Sequence, residues 1–230
     1  HLWNVKRIRP IALGPFDYDQ EVYTTLLWVM EGFTSYYDEI ILRRCGFYSQ
    51  DEMLRKVQSA INYVEGSVGS RVQPVAHASF DAWIKAYRPN ENSSNTTMTY
   101  YSRGMVLAAV FDAMIITNSK GTKGLDHVMQ DLYNTYYVGK NRGFTDDEFK
   151  ITMEKFAGKD LTDFFDKYIN GTEVIPYDDY LKPLGIEVSE VGSIKPVFGA
   201  TVADEGGKVI VKTIRSGSSA EEAGISVNDE

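Results

Sequence analysis

One carboxylate stands out because of the apolar residues around it. Glu31 lies in the middle of residues 26–37 (LLWVMEGFTSYY), a stretch with helical periodicity. A charged carboxylate buried among such residues is costly unless a cation or a metal ion pairs with it. Thr34 and Ser35 share its helical face and are small enough to leave room beside it. The alternative is that Glu31 faces solvent on an amphipathic helix, and periodicity alone favours that alternative.

Two further residues have side chains suited to chemistry. Tyr101 begins a long apolar segment, and a tyrosine at a helix N-terminus can donate its hydroxyl to a developing oxyanion. His1 offers an imidazole that could bind a metal. The simpler alternatives are core packing for Tyr101 and a chance terminal histidine for His1. His77 and His127 show no ligand pattern, and Cys45, the single cysteine, is predicted to be a packing residue at a helix end.

The composition excludes several classes of function. The 230 residues contain 24 Lys and Arg against 32 Asp and Glu, which gives a net charge of −8. Such a surface repels phosphate backbones, so we predict no nucleic-acid partner. No apolar run approaches the ~20 residues that span a bilayer, so we also predict no membrane span. The compartment stays undetermined, because a single cysteine does not fix it.

The hydrophobic pattern predicts a mainly α chain over residues 1–185. After a long loop at 1–20, the predicted helices are residues 21–44, 49–64, 98–117, 124–138, 145–156 and 160–169, with a short piece around 80–87. Ser49 with Glu52, and Thr145 with Glu148, have the spacing of capping boxes. Each pair marks the start of a predicted helix.

The end of the chain has a different pattern. Short β-branched segments separated by glycine predict strands at 184–190, 197–203 and 208–214. The sequence therefore divides into a helical part, 1–185, and a strand-rich part, 190–230.

Five segments share their residues and their order with one known family. They are residues 1–10 (HLWNVKRIRP), 27–36 (LWVMEGFTSY), 80–92 (FDAWIKAYRPNEN), 100–104 (YYSRG) and 143–149 (GFTDDEF). Together they resemble the glycyl aminopeptidase family of gluzincin zinc metallopeptidases. Residues 1–10 resemble the segment that begins at the second histidine of that family's H-E-x-x-H helix. Residues 27–36 resemble its third-ligand segment and the W-x-x-E-G-[FA] segment of the wider clan.

This resemblance implies a zinc site whose residues can be named. His1 falls on the second zinc histidine, Glu31 on the zinc-ligating glutamate and Tyr101 on the clan's transition-state tyrosine. The helical part would be the C-terminal part of a thermolysin-like (gluzincin) catalytic domain. Zinc bound by such N and O ligands keeps a position for a water and activates it. Tyr101 would stabilise the oxyanion of the tetrahedral intermediate.

The resemblance also implies what the chain lacks. The first zinc histidine and the general-base glutamate of H-E-x-x-H would precede His1. We therefore expect a downstream fragment of a larger zinc aminopeptidase, which hydrolyses peptides with small N-terminal residues such as glycine or alanine. The fragment itself is expected to bind zinc weakly or not at all and to have no peptidase activity.

Residues 190–230 resemble a truncated, β-rich PDZ-like domain. Residues 197–202 would supply its carboxylate-binding loop and first strand, and 207–225 match its next strand, turn and short helix. Such modules bind C-terminal peptides by strand addition, so a C-terminal peptide joins peptide substrates among the implied partners. The alternative for this tail is a purely structural β appendage.

Two rivals to the enzyme remain for the chain as a whole. The first is a non-catalytic peptidase-like scaffold that binds peptides through its PDZ module. The second is a plain helical interaction domain, in which Glu31 would be exposed to solvent.

Overall fold

The structure is a computed structural model that describes residues 1–189 and 197–230, and it is mainly helical. Its α-helices are α1 (Phe33–Arg44), α2 (Gln50–Gly66), α3 (Val75–Phe80), α4 (Ser93–Thr96), α5 (Tyr100–Asn118), α6 (Leu125–Leu132), α7 (Asp146–Ala157), α8 (Thr162–Tyr168), α9 (Tyr177–Leu181) and α10 (Ser219–Glu222). Short 3₁₀ helices lie at Ile11–Leu13, Val68–Arg71, Asp81–Trp83 and Lys182–Leu184, and π-helical turns at Trp28–Gly32 and Tyr133–Gly139. In these two stretches of chain, none of the helices combines the length and the hydropathy that crossing a bilayer requires.

Helix α5 forms the centre of the core. Of its 19 residues, 13 are buried, and a helix that is apolar on all sides must be surrounded by other elements. Helices α1, α2, α3, α7 and α9 and the π turn Trp28–Gly32 pack around it. The Phe111 ring of α5 lies 6.3 Å from the Trp28 ring and 4.8 Å from the Phe164 ring, centroid to centroid. The helix that begins at Tyr100 is therefore held from several directions.

The first long helix starts later than its periodicity predicts. Residues 21–26 are not helical, and the helical backbone is regular only from the π turn Trp28–Gly32 onward. Two side-chain hydroxyl oxygens accept from backbone amides at this start. Thr24 Oγ1 accepts from the Leu26 amide at 3.2 Å. Ser79 Oγ accepts from the Trp28 amide at 3.0 Å. The prediction of a helix over 21–44 is therefore wrong at its start. Side-chain hydroxyls there compete with backbone carbonyls for the amide hydrogens.

Both predicted capping boxes are confirmed. The Ser49 side chain accepts from the Glu52 amide, and the Glu52 carboxylate accepts from the Ser49 amide at 2.8 Å. Thr145 and Glu148 make the same reciprocal pair at the start of α7. Each box satisfies amides that the first helical turn leaves unpaired.

The first predicted strand is wrong over its described part, 184–189. A 3₁₀ turn at Lys182–Leu184 ends at Gly185 with φ of 78°. The chain then runs without a strand partner, and the Val188 amide donates to Asp178 Oδ1 at 2.9 Å. A β-branched segment needs a neighbouring strand, and here a carboxylate takes its backbone donor instead. Residue 190 lies outside the described residues.

The C-terminal part is a β-hairpin with a short helix. Strands β1 (Ala200–Glu205) and β2 (Lys208–Ile214) pair antiparallel, with a bulge between Thr201 and Val202. Strand β2 agrees with its prediction, whereas β1 begins later than residue 197. The Phe198 carbonyl accepts from the Ala220 amide of α10 at 3.0 Å, so this segment turns toward α10 instead of extending the strand.

One asparagine side chain joins the hairpin to the helical part. The buried Asn95 of α4 donates to the Ile214 carbonyl at 2.7 Å and accepts from the Ser216 amide at 3.0 Å. It satisfies two backbone groups at the end of β2 as a neighbouring strand would. Asn92 Oδ1 accepts the second amide hydrogen at 2.8 Å and fixes the orientation of the side chain.

Replacing this side chain tests the link. We expect Asn95→Ala to cost about 1–3 kcal/mol, because it leaves the Ile214 carbonyl and the Ser216 amide without their partner. Amide hydrogen exchange should show faster exchange at Ser216, while Ser94→Ala, an exposed position of the same helix, should leave it unchanged. Equal exchange in both variants would contradict the role given to Asn95.

Candidate functional site

A contact between two glycines brings the elements that carry Glu31 and Tyr101 together. A Cβ atom on Gly32 would lie 2.3 Å from the Gly104 Cα, and one on Gly104 would lie 2.2 Å from the Trp28 carbonyl oxygen. No side chain fits between backbones at these distances. Because Gly32 directly follows Glu31, and Gly104 lies one helical turn after Tyr101, this crossing places both candidate side chains near the contact.

The π-helical turn Trp28–Gly32 presents Glu31. Such turns insert a residue into a helix and often occur at functional sites. The Trp28 side chain is fully buried, and its ring packs edge-on against the rings of Phe33, at 5.8 Å, and Phe149, at 5.7 Å. Anchored on this side, the turn leaves the Glu31 side chain half-buried, with 22% exposure.

His1 lies directly beside Glu31. Its Nε2 atom is 3.1 Å from Glu31 Oε2, and its Nδ1 atom is 3.4 Å from Thr34 Oγ1. Asn4 holds this segment in place, because its amide donates to the Met30 carbonyl at 2.9 Å and to Thr34 Oγ1 at 3.1 Å. The sequence pattern gave Asn4 no role, although this residue lies within the first segment of the family resemblance.

The environment of Glu31 disfavours a lone negative charge. Desolvation by burial raises the pKa of Glu31, while the ammonium group of His1 and the Tyr101 hydroxyl act in the opposite direction. The Tyr101 hydroxyl therefore lies near the Glu31 carboxylate. The three residues that the resemblance selected lie in one region, with His1 in direct contact with Glu31 and Tyr101 near it.

Three tyrosines form a cluster at this place. The Tyr100 and Tyr101 rings stack with centroids 4.9 Å apart, and the Tyr87 and Tyr100 hydroxyl oxygens are 3.3 Å apart. Burial and the charge of Glu31 raise the pKa of Tyr101 to about 12. Tyr101 thus keeps its proton at neutral pH and can donate a hydrogen bond to an oxyanion. Sequence reasoning missed Tyr87 and Tyr100, although both lie in segments of the family resemblance.

A cleft of about 1060 Å³ leads to Glu31. Its walls are largely aromatic and acidic, and the residues that decide its character are Asp17, Asp19, Glu21, Trp83, Tyr87 and Tyr100. The size is that of a pocket for a small molecule or a short peptide segment. Glu31 and two of the three clustered tyrosines therefore face a space that can hold a ligand.

The His1 and Glu31 side chains fit a shared zinc ion as a partial ligand set. Two ligand atoms in tetrahedral zinc coordination lie about 3.3 Å apart, close to the 3.1 Å between His1 Nε2 and Glu31 Oε2. Among residues 1–189 and 197–230, no group of three His, Cys, Asp or Glu residues could hold a metal ion. If it bound zinc, this pair would supply two protein ligands, and a complete site would need another from outside the described residues.

The remaining sequence candidates lie elsewhere. His127 accepts from the Gly124 amide at 3.1 Å and so caps α6. His77 is an exposed residue of α3. Cys45 is exposed at the end of α1, so the prediction that it packs inside the protein is wrong. The chain leaves the helix at Gly46, which turns Cys45 toward solvent.

Comparison with known proteins bears on the class of the protein. Residues 1–107 match the M61 glycyl aminopeptidase family, and no curated protein matches the chain. Among solved structures, the chain is similar to an aminopeptidase N family protein from Idiomarina loihiensis, with a TM-score of 0.86 and 28% sequence identity. The similarity covers 99% of this chain and 41% of that protein, so this chain spans less than half of its length. Both comparisons support a peptidase.

The glycine contact can be tested by adding one methyl group. We expect Gly104→Ala to lower the free energy of unfolding by about 1–3 kcal/mol or more, because its Cβ would overlap the Trp28 carbonyl. Gly66→Ala, at the end of α2, is the matched control, since a Cβ there meets nothing within 4 Å. Chemical denaturation measures both, and equal stability of the two variants would show that the backbones do not touch.

Proposed function

We propose that the residues around Glu31 belong to the active site of a zinc-dependent aminopeptidase, which hydrolyses peptides with small N-terminal residues (glycine or alanine). The observation that carries this proposal is the proximity of His1 and Tyr101 to Glu31, which itself lines a cleft. The thermolysin-like (gluzincin) architecture and the choice of zinc follow from the family resemblance. So does the preference for small residues, which no feature of the cleft supplies.

Each residue has a distinct role in this proposal. His1 and Glu31 would hold the zinc ion, and Asn4 and the π turn Trp28–Gly32 position them. When bound, zinc would polarise the scissile carbonyl and lower the pKa of a bound water. Tyr101, neutral at physiological pH, would donate its hydroxyl to the oxyanion that forms as the carbonyl is attacked. A general base is not among the residues assigned here.

The full-length protein gives the direct test. Peptides that begin with glycine or alanine should be hydrolysed, and a chelator should stop the reaction. We expect Tyr101→Phe to keep bound zinc and to lose about 100-fold in kcat, as the loss of one oxyanion donor does. Glu31→Gln should lose both zinc and activity, because a neutral amide is a poor zinc ligand.

Two exposed positions outside the cleft serve as controls. Tyr63→Phe and Glu91→Gln make the same chemical changes on the surface and should retain zinc and activity. Full activity of Tyr101→Phe, or unchanged zinc content in Glu31→Gln, would refute the assigned roles.

Zinc binding by the 230-residue chain alone is a separate test. We expect isothermal titration calorimetry to show weak binding or none, because the pair His1 and Glu31 is an incomplete ligand set. The chain should also lack peptidase activity. Stoichiometric binding with a submicromolar dissociation constant would show that two ligands suffice or that a third exists in this chain.

One observation favours the second candidate, a non-catalytic peptidase-like scaffold that binds peptides through a PDZ module. Strand β1 pairs only with β2 among the described residues, so its other edge has backbone groups for an added strand. Val202 of β1 is exposed and would contact such a peptide. A full-length protein that is stably folded, binds C-terminal peptides and hydrolyses none would favour this candidate over the peptidase.

A further inference from the structure

The tyrosine cluster contains a hydroxyl group that the proposed mechanism does not use. Tyr87 lies in the loop after the 3₁₀ turn Asp81–Trp83 and lines the cleft together with Tyr100 and Glu31. Its hydroxyl oxygen is 3.3 Å from that of Tyr100. Tyr100 stacks on Tyr101, so Tyr87 contacts the buried member of the stacked pair.

The side chain of Tyr101 is less constrained than its backbone. The backbone of Tyr101 is fixed, because Thr99 caps the helix and accepts from the Tyr101 amide at 3.3 Å. The residue is 40% exposed at the first turn of α5, and a cap does not determine the orientation of a ring. Stacking on the buried Tyr100 constrains the ring plane but not the hydrogen bonding of the hydroxyl.

The loop that carries Tyr87 is itself well held. The Tyr87 amide donates to the Ala82 carbonyl at 3.0 Å. The Trp83 indole donates to the Val22 carbonyl at 3.0 Å, and Lys85 pairs with Asp81 at 3.0 Å. The backbone that carries Tyr87 is therefore held in place, within reach of the Tyr100 hydroxyl.

We propose that Tyr87 is a positioning residue for the Tyr101 hydroxyl. Through its hydrogen bond with Tyr100 it fixes the stacked pair, so that Tyr101 points to the carbonyl beside Glu31. This inference rests on the proposed function, because Tyr101 matters only if it contacts the reacting carbonyl. It assigns Tyr87 no contact with the zinc ion and no proton transfer.

Kinetics of the full-length protein test the inference. Tyr87→Phe removes only the hydroxyl and should lower kcat about threefold to tenfold, the range of one hydrogen bond. If Tyr87 acts through Tyr101, the same change made in a Tyr101→Phe background should have little further effect. If Tyr87 instead acted in substrate binding or in folding, Tyr87→Phe would have its full effect in the Tyr101→Phe protein as well. Tyr63→Phe is the control for removing an exposed hydroxyl.

A second measurement does not depend on activity. In the 230-residue chain labelled with ¹³C at tyrosine Cζ, Tyr87→Phe should shift the resonances of Tyr100 and Tyr101, and Tyr63→Phe should shift neither. Missing shifts, or equal kinetic effects of Tyr87→Phe in both backgrounds, would overturn the inference and leave the proposed function intact. An unsubstituted full-length protein without peptidase activity would overturn both.

Discussion

Two backbones touch in the centre of the molecule, at Gly32 and Gly104. Because neither residue has a Cβ, the π turn before α1 and the first turns of α5 meet directly. The candidate site residues lie close to this contact in sequence, Glu31 directly before one glycine and Tyr101 one turn before the other. The distance between them is therefore set by backbone atoms, which move less than side chains. Any residue larger than glycine would push the two elements apart.

The far side of α5 is held by a polar network inside the core. Arg103 is only 3% exposed, and it donates to the Glu173 carbonyl at 3.0 Å and lies 3.6 Å from the Glu65 carboxylate. Glu65 also accepts from the Tyr177 hydroxyl at 2.6 Å. A buried guanidinium is costly unless it is paired, and here, within the part of the chain that the structure describes, Nη2 has a hydrogen bond while Nη1 has only the nearby charge of Glu65. The network links α5 to Glu65 of α2 and to the segment at Glu173.

Local sequence signals predicted much of the fold but little of the site. The capping boxes at Ser49 and Thr145 located two helix starts, because their partners lie three residues away. The start of the first helix was missed, since its amides bond to Thr24 and to the distant Ser79. The prediction of a strand from residue 184 was wrong. β-Branched residues indicate a preference for extended backbone, but they do not show whether a neighbouring strand is present to pair with it. Periodicity cannot register contacts between residues far apart in sequence.

The candidate site was identified from the family resemblance, and hydrophobic periodicity alone would not have identified it. Periodicity favoured a solvent-facing Glu31, whereas the structure leaves it half-buried beside His1. Asn4, Tyr87 and Tyr100 went unassigned because their importance lies in hydrogen bonds that only the fold creates. Gly32 and Gly104 were visible in the sequence, but their mutual contact was not.

The burial of Glu31 has an energetic consequence for the whole arrangement. Desolvation raises the pKa of this carboxyl, so its charged form destabilises the folded state at neutral pH relative to a fully solvated glutamate. The Tyr101 hydroxyl offsets part of this cost, and a bound cation would offset more. Stability alone would favour an apolar residue at this position of a tightly packed turn. The proposed zinc ion would account for a carboxylate that the fold keeps at a cost, beside an imidazole and in the wall of a cleft.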